Sequence, residues 1–265
     1  MRMMSLASGS SGNAIYCGTD CCHILVDAGI SGKRIEEGLK NLDICGRDLD
    51  AILLTHEHTD HTAGLGVLHR RYGLNIYATE ATIEAVKRDK TLGAIDPAAF
   101  IPVKSDESFY IKDLKIAPMK ISHDAADPVA YRISDGKVKS AVVTDLGEYD
   151  EYTVGCLKGL NAVFLEANHD IRMLQLGRYP YPLKQRILGK RGHLSNESSG
   201  RLLTEILNEK MEHVFLCHLS HENNLPELAY EAVRMEVEMS DTVWHGDDFP
   251  IDVARRDMPS ECIEL

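Results

Sequence analysis

The stretch Ala51-Ile52-Leu53-Leu54-Thr55-His56-Glu57-His58-Thr59-Asp60-His61 decides how the rest of the chain is read. Four apolar residues, the length of a short buried strand, run straight into four metal-ligating side chains: His56, His58, Asp60 and His61. Leaving an extended strand, positions 56 and 58 point to the same side. If the chain then turns into a helix, Asp60 and His61 face a second point close by. Imidazole and carboxylate donors suit Zn²⁺, and also Mn²⁺ or Fe²⁺. A polar loop that gathered these donors by chance is the bland alternative. With 12 histidines in 265 residues it would be a rare accident.

Outward from this motif, strands and helices alternate. His23–Val26 reads as a buried strand closed by Asp27-Ala28-Gly29. Ser31 can cap a helix carrying Ile35 and Leu39, which Asn41 and Gly46 end. Helical periods surround Leu65-Leu68-Tyr72 and Ile83-Val86. Strands are expected at Ile111–Ala117, Val129–Ile133 and Val138–Val143. The second half predicts a helix near 148–160, a strand at Ala162–Leu165 and a helix at 196–209. A strand at Val214–Cys217, a helix at 227–237 and a short strand near Val243 follow. No low-complexity linker or solenoid period divides the chain. The expectation is one α/β domain over 1–265 with two buried sheets.

Composition narrows the class. Hydrophobic residues make up 44% and charged residues 26%, enough for an ordered core and too much for wholesale disorder. No apolar run approaches the ~20 residues that span a bilayer, and the start resembles no secretory signal. Seven cysteines without a Cys-x-x-Cys pair suggest small buried residues in a reducing cytoplasm. The net charge of −12 argues against nucleic acid until its location is examined. Residues 222–265 hold twelve acids against Arg234, Arg255 and Arg256, a net of −9, and this acidic segment is a candidate protein-partner surface. Residues 172–191 hold Arg172, Arg178, Lys184, Arg186, Lys190 and Arg191 and no acid. A basic stretch survives inside an acidic chain.

His-x-His-x-Asp-His after a short buried strand resembles the hallmark of the metallo-β-lactamase fold superfamily, and the resemblance extends over nearly the full length. It implies a four-layer αββα sandwich and two divalent metal ions, Zn²⁺ or Mn²⁺. The family's further elements match Asp27 in Leu-Val-Asp-Ala-Gly, His123 in Lys-Ile-Ser-His-Asp, Asp145 in Val-Val-Thr-Asp-Leu-Gly and His218 in Phe-Leu-Cys-His-Leu-Ser. By this resemblance His56, His58 and His123 hold one metal, Asp60, His61 and His218 the other, and Asp145 bridges them. Asp27 would orient a ligand histidine. His221, three residues past His218, is the competing last ligand; His218 is preferred because the apolar run Val214–Cys217 ends directly on it.

A bare dinuclear site fits thioester, lactam or phosphodiester hydrolysis. Gly192-His193-Leu194-Ser195-Asn196 adds a discriminating feature. Ser195 or Asn196 can cap the following helix, and His193 lies just ahead of it. An alkoxide leaving group benefits from a proton donor, and histidine suits that task. The tRNase Z-type nucleases carry a similar Glu-Ala segment and Gly-His element. The resemblance makes His193 the general acid, with Glu166 as its partner and Asp60 the third catalytic candidate. Lys184, Arg186 and Asn13 are candidate phosphate contacts, with the nearby tyrosines placed to stack on bases.

Leu-Ala-Ser-Gly-Ser-Ser-Gly-Asn, Leu-Glu-Ala-Asn-His-Asp, Tyr-Pro-x-x-Leu-Lys-x-Arg-Ile and Gly-His-Leu-Ser-Asn together are similar to the WalJ/YycJ (VicX) branch. That resemblance implies a cytoplasmic 5′→3′ exonuclease acting on DNA rather than RNA. A metal-bound hydroxide would attack phosphorus while His193 protonates the departing oxygen. Two rivals stand beside it: a glyoxalase II-like thioester hydrolase, which needs no general acid, and a regulatory protein that binds metal without turnover. Oligomeric state is not legible.

Overall fold

The computed structural model describes residues 1–265. The chain opens with β1 (Arg2–Ala7), β2 (Ala14–Gly18), β3 (His23–Val26), α1 (Gly32–Leu39) and β4 (Ala51–Leu53). Next come α2 (Thr59–Thr62), α3 (Leu65–Tyr72), β5 (Asn75–Thr79), α4 (Glu80–Arg88) and β6 (Phe100–Val103). A strand-rich stretch holds β7 (Phe109–Ile111), β8 (Leu114–Lys120), β9 (Val129–Ser134) and β10 (Lys139–Val143). The remainder alternates: α5 (Glu151–Leu157), β11 (Ala162–Glu166), α6 (Ile171–Leu176), α7 (Tyr181–Leu188) and α8 (Asn196–Ile206). It closes with β12 (His213–Cys217), α9 (Pro226–Glu238), β13 (Ile251–Val253) and β14 (Ile263–Glu264). No helix is long and apolar enough to cross a membrane.

The chain folds as two compact units. The first comprises Met1–Lys120, Ala125–Val138 and Arg255–Leu265. Its main sheet runs β14-β1-β2-β3-β4-β5-β6, antiparallel from β14 to β3 and parallel from β3 to β6. The central strands read as unbroken apolar runs because both faces are covered. Leu25, Ile52 and Ile76 pack with Ile35, Leu39, Leu68 and Ile83 from the helices. Val26 pairs with Leu53, so Asp27 and Thr55 leave the sheet at the same edge. The antiparallel ribbon β7-β8-β9 completes this unit.

The second unit comprises Ile121–Asp124 and Lys139–Ala254. Its four strands β10-β11-β12-β13 are all parallel. Val143 pairs with Leu165 and Leu165 with Leu216, so Asp145, Glu166 and His218 emerge at one carboxyl edge, where open α/β sheets bind ligands.

Two expected elements differ. The single strand over 111–117 is a hairpin: Lys112 adopts a left-handed conformation (φ 50°) and splits it into β7 and β8. The short strand near Val243 is absent. Val243 is exposed at a bend, and the edge strand is Ile251–Val253, paired with Val214–Leu216. The acidic C-terminal segment is folded, forming α9, β13 and β14.

Candidate metal centre

In the first unit the donors are fixed by a buried carboxylate. Asp27 leaves β3 with φ 63°, a region that residues other than glycine rarely occupy. Its Oδ1 accepts from Thr55 N at 2.8 Å, and Thr55 Oγ1 lies 3.0 and 2.9 Å from Oδ1 and Oδ2. His61 Nδ1 is 2.7 Å from Asp27 Oδ2. The anion makes Nδ1 the protonated nitrogen and leaves the Nε2 lone pair to face outward, the arrangement used to present imidazole to a metal. Asp60 Oδ2 lies 3.6 Å from that Nε2.

His56 and His58 follow the alternation of an extended exit. His56 Nδ1 is 3.0 Å from Thr55 Oγ1, and its Nε2 is 3.0 Å from His58 Nδ1. Two nitrogens sharing a tetrahedral cation with ~2.0–2.1 Å bonds sit about 3.3 Å apart, so this pair fits such an ion. α2 then carries Asp60 and His61, with His61 N donating to His58 O. Glu57 turns away: its Oε1 accepts from Ala126 N at 2.8 Å and braces the loop before β9. Asn13, buried, lies 3.2 Å from His61 Nε2, and its Oδ1 accepts from Ser8 Oγ and Gly9 N. It locks the glycine-rich turn.

In the second unit the donor atoms of Asp145, Glu166, His193 and His218 all lie within 4.8 Å of one another. Glu166, fully buried at the end of β11, is the hub. Its Oε1 accepts from His193 Nδ1 and His218 Nδ1, each at 2.8 Å, and from Asp145 N at 3.2 Å. Its Oε2 accepts from Leu146 N at 2.9 Å and Leu194 N at 3.0 Å. Burial by itself would raise its pKa; the two imidazoles outweigh that and bring it down to about 2. One carboxylate therefore sets the tautomer of two histidines, whose Nε2 atoms point away from it.

His123 is pinned differently. Its Nδ1 is 3.1 Å from Gly192 O, and the Arg191 guanidinium donates to its carbonyl at 3.0 and 2.9 Å. Its Nε2 lies 3.6 Å from Asp145 Oδ1. Asp145 and His218 share the left-handed conformation of Asp27, with φ of 58° and 55°. Such residues cost about 1 to 3 kcal/mol each and cluster where side chains are aimed for function. Asn168 Nδ2 holds the His218 carbonyl at 2.9 Å. His221 stands at the surface, its Nδ1 3.1 Å from Glu222.

The basic segment is partly spent on structure. Lys184 Nζ donates to Gln175 O at 2.7 Å, and the Arg186 guanidinium clasps both oxygens of Asp124. The sequence reading missed the Glu166–His218 bond, the Gly192 carbonyl and the Asp124–Arg186 pair. A strand ending in a buried Glu was the available signal for the first. The other two have none, since they join residues 62 or more positions apart.

A family model described as a β-lactamase superfamily domain matches residues 23–218. The exodeoxyribonuclease YycJ of Bacillus anthracis is 41% identical over 235 residues, covering 88% of each chain. The exodeoxyribonuclease WalJ of Streptococcus pneumoniae serotype 2 is 39% identical over 246 residues, covering 93% of this chain and 91% of that one. Among solved structures, the metallo-β-lactamase fold protein YhfI from Bacillus subtilis superposes with a TM-score of 0.69 at 19% identity, covering 98% of this chain and 100% of that one. At that identity the likeness speaks for the fold alone, α/β with two mixed sheets and flanking helices. The histidine and carboxylate donors suit divalent metal ions.

Proposed function

Because the chain belongs to the β-lactamase superfamily, we propose that it is a metal-dependent exodeoxyribonuclease that removes nucleotides in the 5′→3′ direction in the cytoplasm. Identity of 39–41% to two exodeoxyribonucleases across most of both chains supports the reaction class. The ligand assignment follows the family pattern: His56, His58 and His123 for one cation, Asp60, His61 and His218 for the other, Asp145 for both. When bound, two such cations lower the pKa of a coordinated water and neutralise charge on the reacting phosphate.

The protein's own part is orientation and proton transfer. Asp27 and Glu166 hold His61 and His218 in the tautomer that offers Nε2 outward. His193 has the same hold from Glu166, yet its side chain keeps 19% exposure, whereas His218 keeps 2%. That difference carries the general-acid assignment: an imidazolium with its Nδ1–H anchored and its far edge open can give its Nε2 proton to the leaving oxygen. Asp145 Oδ1 and Glu166 Oε1 lie 3.7 and 2.8 Å from its Nδ1.

Degradation of end-labelled single- and double-stranded DNA and RNA under Zn²⁺ and Mn²⁺ tests the proposal. Stepwise loss of 5′ nucleotides from DNA is expected. Hydrolysis of a thioester such as S-lactoylglutathione with DNA left intact would overturn it.

A further inference from the structure

The chain devotes 171–191 to an excursion that contributes little to the core. Between Glu166 and His193 it forms α6 and α7, and α7 buries none of its eight residues. Leu176 is 88% exposed and Tyr181 73% exposed, on either side of the turn Gly177-Arg178-Tyr179-Pro180. Of the six cations here, four have fixed partners. Lys184 holds Gln175 O, Arg186 holds Asp124, Lys190 Nζ lies 3.2 Å from Glu148 and Arg191 holds the His123 carbonyl. Arg172 and Arg178 are exposed and have no carboxylate within ion-pair distance.

We propose that α6 and α7 form a guide for single-stranded DNA, with Arg172 and Arg178 on phosphates and Tyr181 and Leu176 against bases. The proposal rests on the nuclease reading and names the form of the substrate. Charge selects a polyanion, because Arg172 and Arg178 keep no acidic partner, on a segment with no acid of its own in a chain of net charge −12. The apolar side chains select the single strand: unpaired bases offer open faces, which a duplex stacks away. The excursion also leads to the chemistry, since His193 N donates to Ile187 O at the end of α7.

The test is fluorescence anisotropy of a labelled 20-nucleotide single strand and of a hairpin duplex, with the full chain in EDTA. The single strand should bind at least tenfold tighter. Tyr181→Ala should weaken it roughly 5- to 150-fold. The Arg172→Ala/Arg178→Ala pair should lower the slope of log K against log salt by about 1.4, at ~0.7 per phosphate on single strands. Thermal unfolding checks that each variant is folded. Equal affinity for duplex, unchanged affinity in folded variants, or binding to anionic phosphatidylglycerol vesicles in place of DNA overturns the guide. Hydrolysis of bis-p-nitrophenyl phosphate by the wild type reports on the nuclease reading separately, so the two failures are distinguishable.

Discussion

His61 Nδ1 and Asp27 Oδ2 lie 2.7 Å apart with both side chains buried, so the carboxylate decides which imidazole nitrogen keeps its proton. The same device recurs in the second unit, where Glu166 serves His193 and His218 at once. Orientation by buried acids is the common logic of both halves.

Asp27→Asn removes the charge while keeping a residue that tolerates φ 63°. Metal affinity should fall by about 10- to 100-fold, the usual effect of losing such a partner. Competition with a chelating indicator measures it. Unaltered affinity would show that Asp27 does not set the His61 tautomer.

His193→Ala should retain its full metal content and lose roughly 10²- to 10⁴-fold in turnover on DNA. The loss should be smaller on bis-p-nitrophenyl phosphate, whose leaving group departs without a proton. An equal loss on both substrates would remove the acid role.

Gly29→Ala should damage the site from the backbone side. A Cβ there would stand 1.6 Å from Asp60 O and 2.8 Å from Asn13 N, so the start of α2 must shift. The expected cost is about 1–3 kcal/mol of stability together with lost metal binding. A native melting temperature with full metal content would contradict it.

Acid should weaken the fold through His169. Its ring is buried, neither nitrogen has a hydrogen-bond partner, and burial pulls its pKa down to about 4. The unfolded chain, with histidine near 6.5, binds the proton first. Stability is therefore complete above about pH 6.5 and declines as pH falls toward 4, by on the order of 3 kcal/mol. Urea midpoints across that range should drop more steeply for the wild type than for His169→Asn. Parallel curves would refute it.

Much of this was legible because the donors sit at the exits of short apolar runs: His56 after β4, Asp145 after β10, Glu166 at the end of β11, His218 after β12. Such runs announce buried strands without help from distant residues. The elements misread are those that tertiary pairing decides. Ile251–Val253 becomes a strand because Val214–Leu216 offers an edge, while Val243 has none. Asp124 gains its role only from Arg186, and Gly29 reads as a simple turn until Asp60 O arrives beside it.

The most direct test of the central claim is the divalent metal content per chain, by inductively coupled plasma mass spectrometry after reconstitution with Zn²⁺ or Mn²⁺. About two ions are expected in the wild type and about one in an Asp60→Ala/His218→Ala variant, as a two-metal site requires. A chain that holds no divalent ion, or a double variant that keeps its full complement, would contradict it.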